Sequence, residues 1–143
     1  MPGESRGAAR AGRCLCGRVR YELRGPLRDV WLCHCVECLR WHGHVAAFTS
    51  VGRGDLVIAD ESAVRWTPSP DSDTNARRGF CAECGSSLFW EAPGRPTVSI
   101  AAGTLDQPTG LHTAGHIYVS QAADYYDLPD DGLERHDRSG ARC

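Results

Sequence analysis

The chain lacks any apolar run approaching the roughly 20 residues that a bilayer-crossing helix needs. Its start, Met1-Pro2-Gly3-Glu4-Ser5-Arg6-Gly7, lacks the continuous apolar segment of a secretory signal. These absences speak against a membrane span and against export, so a reducing cytoplasm is expected. An excess of charge is missing too. Sixteen basic against 18 acidic residues leave a formal charge of −2 and a pI of about 6.3. Such a balance offers no electrostatic pull toward nucleic acid or an anionic membrane. The sequence also has no long helical stripe, no repeat, no low-complexity block and no second domain. What remains is 143 residues, 41% hydrophobic and 24% charged, a balance that fits one soluble domain with an ordinary core.

Cysteine, by contrast, is abundant and clustered. Seven of the eight fall in Cys14-Leu15-Cys16, Cys33-His34-Cys35-Val36-Glu37-Cys38 and Cys81-Ala82-Glu83-Cys84. Thiols one or two residues apart can converge on one ion, and seven are too many for one tetrahedron. Four plus three is the natural division: a structural zinc takes four protein ligands, and a reactive zinc keeps one position open. A disulfide framework is the competing reading, but it serves chiefly small secreted chains with too little core. Cys143 belongs to no cluster and is expected to be an exposed free thiol.

Residues 1–11, rich in Gly, Ala and Arg, are expected to form a disordered tail, residues 12–130 the folded domain, and residues 131–143 a second tail. Short β-like stretches recur between turn signals. Val19-Arg20-Tyr21-Glu22-Leu23 alternates apolar and polar residues, as a half-buried strand does. Further strands are predicted at Val30–Leu32, Val45–Thr49, Leu56–Ile58, Val64–Trp66, Leu88–Trp90, Val98–Ile100 and Ile117–Val119. Helical turns are predicted at Leu39-Arg40-Trp41 and near Ala122–Tyr125, and the polar stretch Pro68–Arg78 reads as a mobile loop. The class is mainly β, a compact single domain of short strands stapled by metal.

Cys81-Ala82-Glu83-Cys84-Gly85 has the form of a zinc knuckle, with a glycine where the turn needs a positive φ. Cys14-Leu15-Cys16-Gly17 is the best source of the second ligand pair. Joining the two clips both ends of the β core together. A redox-active C-x-x-C is the rival reading, but the thioredoxin-like βαβ context is absent. Cys33, Cys35 and Cys38 lie within six residues, so a strand end and one turn can bring them to one metal with a vacant position. Three thiolates weaken a metal as an activator of water and suit the capture of an incoming thiolate. His34, His42 and His44 are candidates for a fourth ligand or a proton shuttle. On an extended segment, however, the His34 side chain points away from its cysteine neighbours.

Five stretches occur in order from residue 12 to about residue 130. They are Gly12-x-Cys14-x-Cys16-Gly17-x-Val19-x-Tyr21-Glu22, Cys33-His34-Cys35-x-x-Cys38, Phe80-Cys81-x-x-Cys84-Gly85-Ser86-x-Leu88, Gly103-Thr104-Leu105-Asp106 and His116-Ile117-Tyr118-Val119. Together they resemble the glutathione-dependent formaldehyde-activating enzyme family, also called the CENP-V/Gfa domain. The resemblance implies a compact, mostly antiparallel β fold and two zinc ions per chain; on the residues alone, the competing reading of the three-cysteine cluster is a partly occupied or metal-free site. The resemblance implies a structural zinc on Cys14, Cys16, Cys81 and Cys84, and a catalytic one on Cys33, Cys35 and Cys38. From the residues themselves, His34 is expected among the catalytic residues as a proton shuttle. The resemblance also implies carbon–sulfur lyase chemistry, in which glutathione and formaldehyde equilibrate with S-hydroxymethylglutathione. The chain departs from the family pattern at Leu39, often basic in members, and at His42, often a small hydroxyl residue. Its Tyr125-Tyr126 pair stands where a tryptophan is often found.

The expected partners are a small-molecule thiol such as glutathione and an aldehyde, with no nucleic acid and no membrane. Arg40, Arg77 and Arg78 are candidates to hold the carboxylates of a peptide thiol by paired hydrogen bonds. The alternative is a non-catalytic zinc module that binds a protein partner through an apolar patch of Trp31, Trp41, Trp66 and Trp90. A nucleic-acid-binding zinc ribbon is weaker still, because no basic stripe is present.

Overall fold

Alternation of side chains decides the strands. In Arg20–Leu23 the apolar Tyr21 and Leu23 are buried while Arg20 and Glu22 face water, so the segment has one core face and pairs along both edges. The computed structural model describes residues 10–70 and 72–138. Among these, strands β1 (Arg10–Arg13), β2 (Arg20–Leu23) and β5 (Leu56–Ile58) form a small antiparallel sheet in the order β1-β2-β5. The larger sheet has eight strands in the order β11-β10-β3-β4-β9-β8-β7-β6. Its members are β3 (Val30–Cys33), β4 (Ala46–Gly52), β6 (Val64–Pro68), β7 (Arg77–Cys81), β8 (Ser87–Glu91), β9 (Thr97–Ala101), β10 (Thr113–Ile117) and β11 (Glu134–Arg135). From β3 to β6 every pairing is antiparallel, whereas β10 runs parallel to β3 and β11 parallel to β10. The fold is a single compact domain, mainly β and mostly antiparallel.

The main core lies between the sheets, where Val19, Tyr21 and Leu23 meet Val51, Leu88, Phe89, Val98 and Ile100. Each fully buried aliphatic or aromatic side chain here contributes about 1.5–3 kcal/mol. A second, smaller cluster holds Cys33, Cys38, Ala46 and Phe48, with Trp90, Ile117 and Tyr118 packed against it. Helix α1 (Val36–His42) follows β3 directly. Cys35 caps it: its Sγ accepts the Cys38 N–H at 3.3 Å.

Several local expectations are corrected. The predicted loop Pro68–Arg78 is shorter than expected: Thr67 pairs with Arg78 and Pro68 with Arg77, while residues 69–70 and 72–76 lie outside any strand and form the connection of this hairpin. Pro68 is tolerated because β6 is the edge of its sheet. Ser72 Oγ accepts the Thr74 and Ala76 N–H groups at 3.2 and 3.1 Å, tying the turn locally. The helical turn predicted near Ala122–Tyr125 falls earlier, as a single 3₁₀ turn over Val119–Gln121. The boundaries move outward as well. β1 begins at Arg10, inside the expected first tail, and β11 lies inside the expected second one. Residues 1–9 and Cys143 lie outside the described residues. No described helix is long and apolar enough to cross a membrane.

Candidate metal centres and the cleft above the second

The sequence pairs the N-terminal thiols with the knuckle, and the structure brings the same four together. The sulfurs of Cys14, Cys16, Cys81 and Cys84 all lie within 4.8 Å of one another. Cys14 and Cys16 are 3.6 Å apart, and Cys16 and Cys81 are 3.8 Å apart. Each pair sits on a tight turn that ends in a left-handed glycine, Gly17 (φ 82°) or Gly85 (φ 80°), where any other residue would be strained. The turns aim backbone N–H groups at sulfur: Val19 at Cys14 (3.3 Å), Arg18 at Cys16 (3.4 Å), and Glu83 and Cys84 at Cys81 (3.3 and 3.4 Å). Ser86 joins the two turns, lying 3.1 Å from Cys84 Sγ and accepting the Leu15 N–H at 3.0 Å. Three of the four sulfurs accept backbone N–H groups and the fourth, on Cys84, lies beside the Ser86 hydroxyl; these surroundings suit thiolates, and a tetrahedral cation fits the four.

The second cluster is local in sequence. Cys33 closes β3, Cys35 caps α1 and Cys38 sits in its first turn, and their three sulfurs again lie within 4.8 Å of one another. Among the described residues no fourth His, Cys, Asp or Glu ligand atom joins that group. Hydrogen bonds from Cys33 and then Cys38 pull the Cys35 thiol down to about 2, while Cys33 is pushed up by the same contacts and by burial. Proton sharing of this kind is what a divalent cation replaces when it binds all three as thiolates. Three thiolates around such an ion leave one negative charge, and Arg78 is placed to offset it. Its guanidinium is buried, 3.7 and 3.8 Å from Cys38 Sγ, and its Nε donates to Ser69 Oγ at 3.1 Å. Ser69 in turn donates to Glu37, whose carboxylate is 3.7 Å from the Arg78 Nη2. None of the seven clustered cysteines is in a disulfide.

A cleft of about 720 Å³ opens over Cys33, Cys35 and Cys38, within the size range of small-ligand sites. Trp31, Phe48 and Trp90 supply apolar wall, and Arg28, Arg95 and Arg138 supply positive charge. The Arg95 guanidinium stands 5.2 Å from the Trp90 ring centroid. Of the arginines predicted from sequence, only Arg78 reaches the cleft. Arg77 is held by Glu91 at 2.6 Å and stacks 4.1 Å from the Trp66 ring centroid, and Arg40 is exposed on α1. Arg28, Arg95 and Arg138 carry no motif, because they converge from a loop, a turn and the C-terminal segment. Of the tryptophans proposed for an apolar docking patch, Trp31 is buried and Trp41, Trp66 and Trp90 are half-buried; Trp41 packs on Phe80 and Trp66 on Phe89, while Trp31 and Trp90 line the cleft.

The histidines separate. His34 does not line the cleft. Strand alternation turns its ring to the opposite side of β3 from Cys33, where it is buried against His116. Its Nδ1 lies 2.8 Å from Tyr126 Oη and its Nε2 lies 3.0 Å from His116 Nδ1. His116 Nε2 lies 2.8 Å from Asp131 Oδ2. With Asp131 ionised, one donor order satisfies the chain: Tyr126 donates to His34, His34 to His116, and His116 to Asp131. Burial lowers the His34 pKa. The contact between His34 and reacting groups predicted from sequence is therefore not made; its ring anchors the cysteine segment from behind. His44 is exposed beside Tyr125, 2.5 Å from its hydroxyl. His42 lies on α1 with its ring edge-on to Phe48, and burial lowers its pKa to about 4.

A model of the family described as glutathione-dependent formaldehyde-activating enzyme matches residues 9–121. No curated protein matches the chain. The crystal structure of a Rhodobacter sphaeroides protein, a structural-genomics target, is similar with a TM-score of 0.57 and 23% identity, covering 74% of this chain and 98% of that one. The structural likeness supports the fold, and the family match spans both sulfur clusters. This chain belongs to the glutathione-dependent formaldehyde-activating enzyme family.

Proposed function

We propose that this protein joins a small thiol, in the manner of glutathione, to formaldehyde and reverses the reaction, acting as a carbon–sulfur lyase on the thiol–aldehyde adduct. One observation carries the reading: three sulfurs that no fourth side-chain ligand joins among the described residues, opening on a cleft with cationic walls. A zinc ion bound there supplies a soft, coordinatively open position suited to a thiolate. Cys33, Cys35 and Cys38 hold that position, and Arg78 offsets their surplus negative charge. Arg95 stands on the cleft wall to take a carboxylate of a peptide thiol, and Arg28, whose Nε and Nη2 donate to the Asp29 and Phe48 carbonyls, adds positive charge beside it. Trp90 and Phe48 give the aldehyde carbon a wall that excludes water. In the forward direction a sulfur–carbon bond forms, the carbonyl π pair passes to oxygen, and the thiol's proton ends on that oxygen. In this scheme His34 is a positioning residue that fixes Cys33 and Cys35 through His116 and Asp131. Cys14, Cys16, Cys81 and Cys84 hold a second, structural zinc.

The test is the rate of S-hydroxymethylglutathione formation from glutathione and formaldehyde, followed by NMR with protein carrying two zinc ions per chain. Acceleration lost in Cys35→Ser is the expected result. No acceleration by the fully loaded protein removes this chemistry.

A further inference from the structure

His42 is the one histidine on α1, four residues beyond Cys38. Helix residues four apart stack one above the other, and helical side chains lean toward the N-terminus. The His42 ring therefore leans over the turn that carries Cys38. Its Nε2 is buried and has no hydrogen-bond partner among the described residues. The ring meets Phe48 edge-on, with centroids 5.3 Å apart, and Phe48 belongs to the same buried cluster as Cys33 and Cys38. A buried polar nitrogen left unpaired costs about 1–3 kcal/mol, so its persistence calls for a partner. Arg78 is not that partner, since its Nε serves Ser69 and its two terminal nitrogens face the Cys38 sulfur.

We propose that His42 is the resting fourth ligand of the three-sulfur centre, completing its shell while the cleft is empty and yielding its place to the substrate thiolate. The inference rests on the reading above that an ion is held by Cys33, Cys35 and Cys38. In the side-chain position seen, neither ring nitrogen of His42 lies within 4.8 Å of all three sulfurs, so ligation requires the imidazole to swing about its own torsions. One helical turn is a spacing at which two residues of a helix can share one ion. With His42 bound the centre is a closed Cys₃His set, the kind that retains its ion tightly. Exchange breaks the ion–nitrogen contact and forms an ion–sulfur contact, and the thiol's proton leaves to water. Because an incoming thiol competes with the imidazole, its apparent affinity is reduced by the fraction of protein in the closed form.

The proposal predicts two opposite changes in one variant. Cobalt(II) is loaded in place of zinc into wild type, His42→Ala and His42→Gln, with circular dichroism checking that each is folded. Without thiol, the variants are expected to differ from wild type in visible absorption. They should also lose the second ion to a chelator roughly tenfold more readily. Under saturating glutathione the spectra converge, and the variants bind glutathione several-fold more tightly than wild type. Identical spectra and ion retention without thiol overturn the role of His42 and leave the open-centre reading standing. A difference that persists under saturating glutathione overturns the exchange. A folded wild type that takes up only one ion per chain defeats both readings together.

Discussion

The four-sulfur and three-sulfur clusters differ first in how far apart their ligands lie along the chain. Cys16 and Cys81 are 65 positions apart, so the first cluster closes a long loop and exists only when the β core has formed. The second is assembled from a strand end and one helical turn, and needs no long-range closure. Their surroundings differ in the same sense. The first is cradled by four backbone N–H groups and supplies every ligand itself. The second has, among the described residues, one backbone N–H contact to sulfur, together with a buried arginine and an open cleft. On the proposed reading, long-range closure with a full ligand set makes a fastener, and local assembly with three sulfurs makes a place for chemistry.

The largest expected effect breaks the fastener. Cys81→Ser removes a ligand of the first centre, whose ion contributes on the order of 10 kcal/mol. That equals the whole stability of a small domain, so circular dichroism should show an unfolded chain at 25 °C. Cys35→Ser should do the reverse. Metal analysis is expected to fall from two ions per chain to about one and adduct formation to the uncatalysed rate, while the thermal midpoint moves by less than about 5 °C. A Cys35→Ser chain that also unfolds would erase the distinction between the centres.

Smaller effects sharpen it. Arg78→Met leaves Glu37 beside the sulfurs without its cation, and breaking one partner of a buried pair costs about 3–5 kcal/mol. Denaturant unfolding measures this, and chelator competition should show weakened hold on the second ion only. His116→Phe leaves the buried His34 without its acceptor at a cost of about 1–3 kcal/mol, with both ions retained. The smallest effect lies away from both centres. Burial tends to raise the Glu91 carboxyl, but hydrogen bonds from Arg77 and then Arg53 hold it below its usual 4.5. A carboxyl depressed in the fold adds stability above its unfolded pKa and loses it as pH falls through the lower folded value. Acid unfolding of Arg77→Ala should therefore show less loss below pH 4.5, by well under about 1 kcal/mol because the arginines are solvent-screened.

Contiguity explains what could be read without coordinates. Cys33, Cys35 and Cys38 declare themselves because the ligands lie within one short stretch, and the knuckle does so because its turn is local. The strand from Val19 to Leu23 is legible through its alternation. β11 is not, since two residues carry no periodicity and the strand exists only through its pairing to β10. At Pro68–Arg78 the polar composition gives the loop over residues 69–70 and 72–76 and hides only its ends, whose strand pairing depends on partners distant from the local pattern. The cleft's Arg28, Arg95 and Arg138 were hidden because long-range strand pairing, and no motif, brings them together. Likewise His34 is visible as a residue, whereas its partners Tyr126, His116 and Asp131 come from three separate segments.

The distance between Cys38 and its neighbour Arg78, 40 positions, has a consequence for how the protein is made. At 5–20 residues per second, a growing chain carries its three adjacent thiols for about 2–8 s before the arginine that screens them is synthesised. The chelating hexapeptide is chemically complete during that interval, yet nothing around it can discriminate one soft metal from another. On the proposed reading that these sulfurs hold an ion, its choice falls to the finished surroundings, after β7 has joined the sheet.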